Sequence, residues 1–135
     1  MSSSSVYTVQ LTAAEFALLA ETQYLFQLQN SKMVSATSLI KGILRSNASG
    51  WTPQVMDEAI MRTEAVAGLR GDFSKREVST TVSFRLDGAS LKQFYDIREW
   101  LSENTEGETS VRSAVLFLLA GYTTLLESKG SGYGG

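Results

Sequence analysis

Nothing in this chain has the make-up of a bond-breaking site. Its 135 residues include no histidine and no cysteine, which removes the commonest general base, the commonest metal ligands and every thiol nucleophile. No glycine-rich loop follows a strand pattern as a phosphate cradle would, and the acidic pairs Asp57-Glu58 and Asp96 with Glu99 read as solvated helix faces. The side chains that have chemistry to offer are hydrogen-bonding ones, set in two short alternating stretches. Thr8 and Gln10 alternate with Tyr7, Val9 and Leu11 in Val6–Leu11 (VYTVQL), and Thr81, Ser83 and Arg85 alternate with Val82, Phe84 and Leu86 in Val78–Leu86 (VSTTVSFRL). A period of two gives each strand one apolar and one polar face. This is the chemistry of recognition, and the expectation is no enzyme, no metal and no cofactor.

The elements that must position these faces follow from caps and periodicity. Thr12-Ala-Ala-Glu15 is a capping box opening a helix over about 13–29, with Phe16, Leu19, Gln23 and Phe26 on one face and Leu18 and Leu25 widening it. Asn30–Lys32 breaks that helix. Ser35 caps a second, Ala36 to about Arg45, with Leu39, Ile40, Ile43 and Leu44 apolar. Pro53, the single proline, suits the first position of a third helix capped by Thr52 and running to about Leu69. Its inner face takes Val55, Ala59, Ile60, Ala65, Val66 and Leu69. Asp87 caps a fourth helix over about 89–103, with Leu91, Phe94, Ile97 and Leu101 in register. Thr109 or Ser110 caps a fifth, about Val111–Leu126, apolar nearly all round and therefore central to the core.

The second half repeats the first at a constant shift of seventy-five positions, without a gap. Val9, Gln10 and Leu11 meet Phe84, Arg85 and Leu86. The caps Thr12 and Asp87 coincide, Phe26 meets Leu101, and Ser35-Ala-Thr-Ser38 meets Ser110-Val-Arg-Ser113. One strand–helix–helix unit is written twice, at 6–47 and 78–127, joined by a helical linker at 48–77 and followed by a tail at 128–135. A lone strand cannot satisfy its backbone, and one such unit has too little core to stand alone. Two units solve both problems if the strands pair antiparallel in front of interlocking helices. The expected fold is a mainly α single domain with a two-stranded antiparallel β-ribbon.

An alternating strand of about six residues, a capped helix, a short loop and a second helix opening with Ser-x-x-Ser resembles the ribbon–helix–helix family, the Arc and methionine-repressor type of DNA-binding protein. The chain looks like a tandem, single-chain pseudo-dimer of that family. The resemblance implies a ribbon lying in the major groove of double-stranded DNA, with Thr8, Gln10, Thr81, Ser83 and Arg85 at base edges. Arg85 would read guanine and Gln10 adenine, each good pair giving about 1–3 kcal/mol of discrimination. It also implies phosphate contacts at the starts of the second helices, Ser35 with Ala36 and Ser110 with Val111, and at Lys32, Lys75 and Arg76. The tasks implied are transcriptional repression or regulation, or an accessory role in DNA processing. Self-association of pseudo-dimers is a second partner expectation.

Charge runs against this reading. The net charge is −2 and the pI about 5.1, without the basic excess usual for a nucleic-acid binder. Glu103, Glu106 and Glu108 surround the loop before the last helix, where phosphates would lie, whereas the comparable loop of the first unit carries Lys32. The competing reading is a protein-interaction module of the same architecture, with the linker helix and acidic loop as its working surface. An apolar fraction of 43% marks a folded chain. Residues 1–5 lack a secretory pattern and no apolar run approaches a membrane span, so the expected setting is cytoplasmic, with no membrane partner and no small-molecule substrate.

Overall fold

In the computed structural model, which describes residues 4–66, 80–105 and 109–131, helices back a two-stranded antiparallel sheet. The strands are β1 (Ser4–Leu11) and β2 (Thr80–Asp87). Tyr7 lies opposite Phe84, Val9 opposite Val82, and Thr8 opposite Ser83. The alternation of the sequence becomes an alternation of burial: Val9, Leu11, Phe84 and Leu86 are buried, while Thr8, Gln10, Thr81, Ser83 and Arg85 are exposed. Behind the sheet, the ring of Tyr7 sits 5.5 Å from that of Phe84 and 5.1 Å from that of Phe94. Burial, reinforced by the neighbouring Tyr95 hydroxyl, holds the Tyr7 phenol above its ordinary pKa.

Helix α1 (Ala13–Asn30) opens on the expected capping box, the Glu15 amide donating to Thr12 Oγ1 at 3.2 Å and the Thr12 amide to Glu15 Oε1 at 2.9 Å. Its buried face is rotated from the expected one. Glu15, Leu19, Thr22 and Phe26 point inward, while Phe16 stays 42% exposed. The cause is an ion pair: Glu15 Oε2 accepts from Arg112 Nη1 at 2.6 Å, and both side chains are buried. Fixing Glu15 inward turns Phe16, about 100° further round the helix, toward solvent.

Helix α2 (Ala36–Ala48) buries the four expected residues, Leu39, Ile40, Ile43 and Leu44. Helix α3 (Pro53–Val66) buries Val55, Ala59 and Thr63 along one stripe, so the inner face passes through Thr63, and Ala65 is exposed. The Thr63 hydroxyl satisfies itself on the Ala59 carbonyl at 2.7 Å, which lets a polar residue take an inner position. Leu69 lies outside the described residues. Strand β2 runs straight into helix α4 (Gly88–Asn104) through Gly88, whose φ of +52° is open to glycine at little cost. Leu91, Phe94, Ile97 and Leu101 of α4 are buried as expected.

Helix α5 (Val111–Ser131) is buried at every position from Arg112 to Thr124 and forms the axis of the core. It continues past the expected end at Leu126 into the stretch read as a tail. Helix α3 lies along it, and Arg62 of α3 pairs with Glu127. Trp51, between α2 and α3, packs its indole on α5 with the Phe117 ring 6.2 Å away.

The helices pack across the halves. Helix α2 contacts β2 and α4, and α5 contacts β1 and α1. Several polar contacts recur at the shift seen in the sequence. Gln23 Nε2 donates to the Val34 carbonyl at 2.7 Å and Arg98 Nη2 to the Thr109 carbonyl at 3.3 Å. The Val34 amide donates to Gln27 Oε1 at 3.0 Å and the Thr109 amide to Ser102 Oγ at 3.1 Å. The Ser38 amide caps on Ser35 Oγ and the Ser113 amide on Ser110 Oγ, each at 3.1 Å.

Candidate nucleic-acid interface

The outer face of the ribbon carries five of the expected residues together. Its centre is the Thr8–Ser83 pair, whose hydroxyls are 3.0 Å apart and either of which can donate. On one side Gln10 stands opposite Thr81, on the other Arg85 opposite Val6, which is 67% exposed. The two long side chains thus lie on opposite sides of a hydroxyl pair and are not directly opposed. The Arg85 guanidinium rests on Ser4 Oγ through Nη2 at 3.2 Å, leaving further donors of the fork to a ligand.

Helix α2 is tied to this face by two contacts. The Arg85 amide donates to Thr37 Oγ1 at 3.1 Å, and Lys41 Nζ reaches Asp87 Oδ1 at 3.3 Å. At the start of α2, Ser35 Oγ accepts the Ser38 amide and donates to Ser38 Oγ at 3.2 Å. The Ala36 and Thr37 amides have no acceptor among the described residues, so the positive end of the helix points outward beside the ribbon. Helix α5 opens in the same way at Ser110, with Val111 half-buried. Its next residue, Arg112, is committed to Glu15, so the cation nearest that terminus faces the core.

Lys32 is exposed in the turn before α2, and Glu103 is exposed near the end of α4. Lys75, Arg76, Glu106 and Glu108 lie outside the described residues. Thr37, Lys41 and Arg112 were not among the site residues expected from the sequence. The polar stripe of α2 held a signal for the first two, since Thr37 and Lys41 are one turn apart. The partner of Arg112 is 97 positions away, with no local signal.

Among the described residues no cluster of acidic side chains has the make-up of a metal site, and no helix is long and apolar enough to cross a membrane. Comparison with protein-family models, with curated proteins and with solved structures finds no match to this chain.

Proposed function

We propose that this protein binds double-stranded DNA sequence-specifically as a single-chain pseudo-dimer of the ribbon–helix–helix type, acting as a transcriptional regulator or DNA-processing accessory factor. The observation that carries the reading is the register of the ribbon. Thr8 and Ser83, seventy-five positions apart, are both the equivalent residues of the sequence repeat and directly paired partners. A two-fold axis relating the two halves must pass through a pair of this kind. Such an axis would exchange Gln10–Thr81 with Arg85–Val6, and the hydrogen bonds that recur at Val34 and Thr109 support it.

A two-stranded ribbon fits the B-DNA major groove, where Arg and Gln side chains meet base edges. Gln10 and Arg85 are equivalent under the axis but chemically different, so the target is asymmetric and not a perfect palindrome. The outward start of α2, with Ala36 and Thr37 amides and Lys32 beside it, supplies a phosphate seat. At α5, Ser110 and Val111 would form the equivalent seat without a neighbouring free cation among the described residues, since Arg112 pairs with Glu15, so the two phosphate contacts differ in strength.

The test is fluorescence anisotropy of a labelled random-sequence duplex pool titrated with protein at two salt concentrations. Binding that weakens steeply with salt supports the reading. No binding at the lower salt refutes it.

One observation favours the second reading, a protein-interaction module. Phe16, Tyr24 and Leu28 are exposed along α1, and Glu21 is the single charged residue among the exposed positions of that helix. Sedimentation of the protein alone separates the two. Association abolished by Leu28→Glu, together with no affinity for DNA, selects the module.

A further inference from the structure

A cleft of about 750 Å³ opens between the end of α1, the outer stripe of α2 and the last turns of α5. Its size falls within the range of small-molecule sites, about 300–1,000 Å³. The floor is apolar: Phe26 from α1, Gly42 from α2, and Tyr122, Leu125 and Leu126 from α5. The rim is cationic, with Lys32, Lys41 and Arg45, and among the described residues no carboxylate lines the cleft. In a chain of net charge −2 this is a local reversal of sign. Lys41 is engaged with Asp87. Among the described residues neither Lys32 nor Arg45 has a carboxylate partner. Lys41 and Arg45 are one turn apart on α2, a spacing that places both cations on the same side of the helix.

A second observation concerns Tyr122. The residue is only 6% exposed, its ring packing on Phe26 with centroids 5.5 Å apart. Its hydroxyl makes no hydrogen bond among the described residues, yet the side chain borders the cleft. Burial holds the phenol above its ordinary pKa, so at neutral pH it is a neutral donor.

We infer that this cleft binds a small amphipathic anion, a carboxylate or phosphate monoester on a short apolar body. The head sits between Lys32 and Arg45 with the Tyr122 hydroxyl donating to it, and the body lies over Phe26, Leu125 and Leu126. Gly42 lets the Phe26 ring of the floor lie directly against α2, where a β-carbon would overlap it. The cleft lies off the outer face of the ribbon but shares Lys32 with the phosphate seat proposed at the start of α2, so it is tested with small ligands in the absence of DNA.

Isothermal titration calorimetry with octyl phosphate tests this on the full chain, with decanoate, inorganic phosphate and octyltrimethylammonium as separate arms. Octyl phosphate or decanoate is expected to bind one-to-one, the tighter of the two identifying the head group. Arg45 is exposed, so Arg45→Glu should keep the fold by circular dichroism while weakening binding about tenfold or more. Lys32→Glu should act in the same direction, and Tyr122→Phe should weaken binding a few-fold. The inference is overturned if neither anionic amphipath binds, or if octyltrimethylammonium binds as well as they do. It is equally overturned if inorganic phosphate binds as tightly as octyl phosphate, or if Arg45→Glu leaves the affinity unchanged.

Discussion

Arg112→Met removes the cation that holds Glu15 inside the protein. Glu15 is fully buried and Arg112 is 8% exposed. The pair links the first turn of α5 to the first turn of α1 at 2.6 Å, and the other oxygen of Glu15 accepts the Thr12 amide at 2.9 Å. In the variant that amide remains, but a neutral donor cannot offset the burial of a charge. Breaking a buried pair from one side costs about 3–5 kcal/mol. A chain of this length has a total stability of about 7–20 kcal/mol. The loss should therefore lower the melting temperature by roughly 10–20 °C, at about 4 °C per kcal/mol.

Glu15→Gln keeps a capping-box acceptor for Thr12 and should also destabilise, by leaving Arg112 buried without its carboxylate. The double variant Glu15→Gln/Arg112→Met should lose less than the sum of the two, by roughly 1–3 kcal/mol of coupling. Urea unfolding of the four proteins, followed by circular dichroism, gives the cycle directly. A cost below about 1 kcal/mol for Arg112→Met, or strict additivity, would show that the pair does not hold α1 in its rotated setting.

Other substitutions test neighbouring parts of the structure. Glu127 accepts from Arg62, and that hydrogen bond holds its carboxyl below the usual carboxylate range. Because its folded-state pKa is depressed, the stabilisation is present above the unfolded pKa and disappears as pH falls through the folded one. The pair is largely exposed, so Glu127→Gln should cost at most about 1 kcal/mol at pH 7 and nothing at low pH, read from urea midpoints at both. Gly121 lies beneath the Trp51 indole, and a β-carbon there would overlap the ring. Gly121→Ala should therefore lower stability by about 1–3 kcal/mol despite alanine's better helix propensity, with a change in Trp fluorescence as the ring shifts. Arg85→Ala should release Ser4 and leave the fold intact, because its backbone contact to Thr37 does not need the side chain.

Local physics made much of the chain legible. The alternation in β1 and β2, the caps at Thr12, Ser35 and Ser110, and the apolar faces of α2 and α4 all depend on residues within a turn or two of one another. The central place of α5 was legible because a helix apolar all round has nowhere else to go. What was not legible depends on distant partners. A phenylalanine beside a glutamate reads as the inward residue until the arginine 97 positions away is in place. Asp87 stands at the start of α4 as expected, but the capping contact there is Ser90 Oγ accepting the Asp87 amide at 3.2 Å, while the carboxylate goes to Lys41. Among the site residues, the five ribbon positions could be read from alternation alone. Their spacing could not, because it follows from the register that puts Thr8 against Ser83 and Arg85 against Val6. The cationic cleft was invisible for the same reason, since Lys32, Arg45 and Tyr122 come from three separate segments.

The most direct measurement is binding-site selection from a randomised duplex library, run in parallel with the unaltered protein, Arg85→Ala and Lys32→Ala. If the ribbon reads bases, the unaltered protein enriches an asymmetric site. Arg85→Ala should then lose preference at one position, worth about 1–3 kcal/mol of discrimination, while Lys32→Ala keeps the preference, binds all sequences more weakly and lowers the salt slope by about one. Equal, uniform losses for both variants, or no enriched sequence for the unaltered protein, would contradict the account.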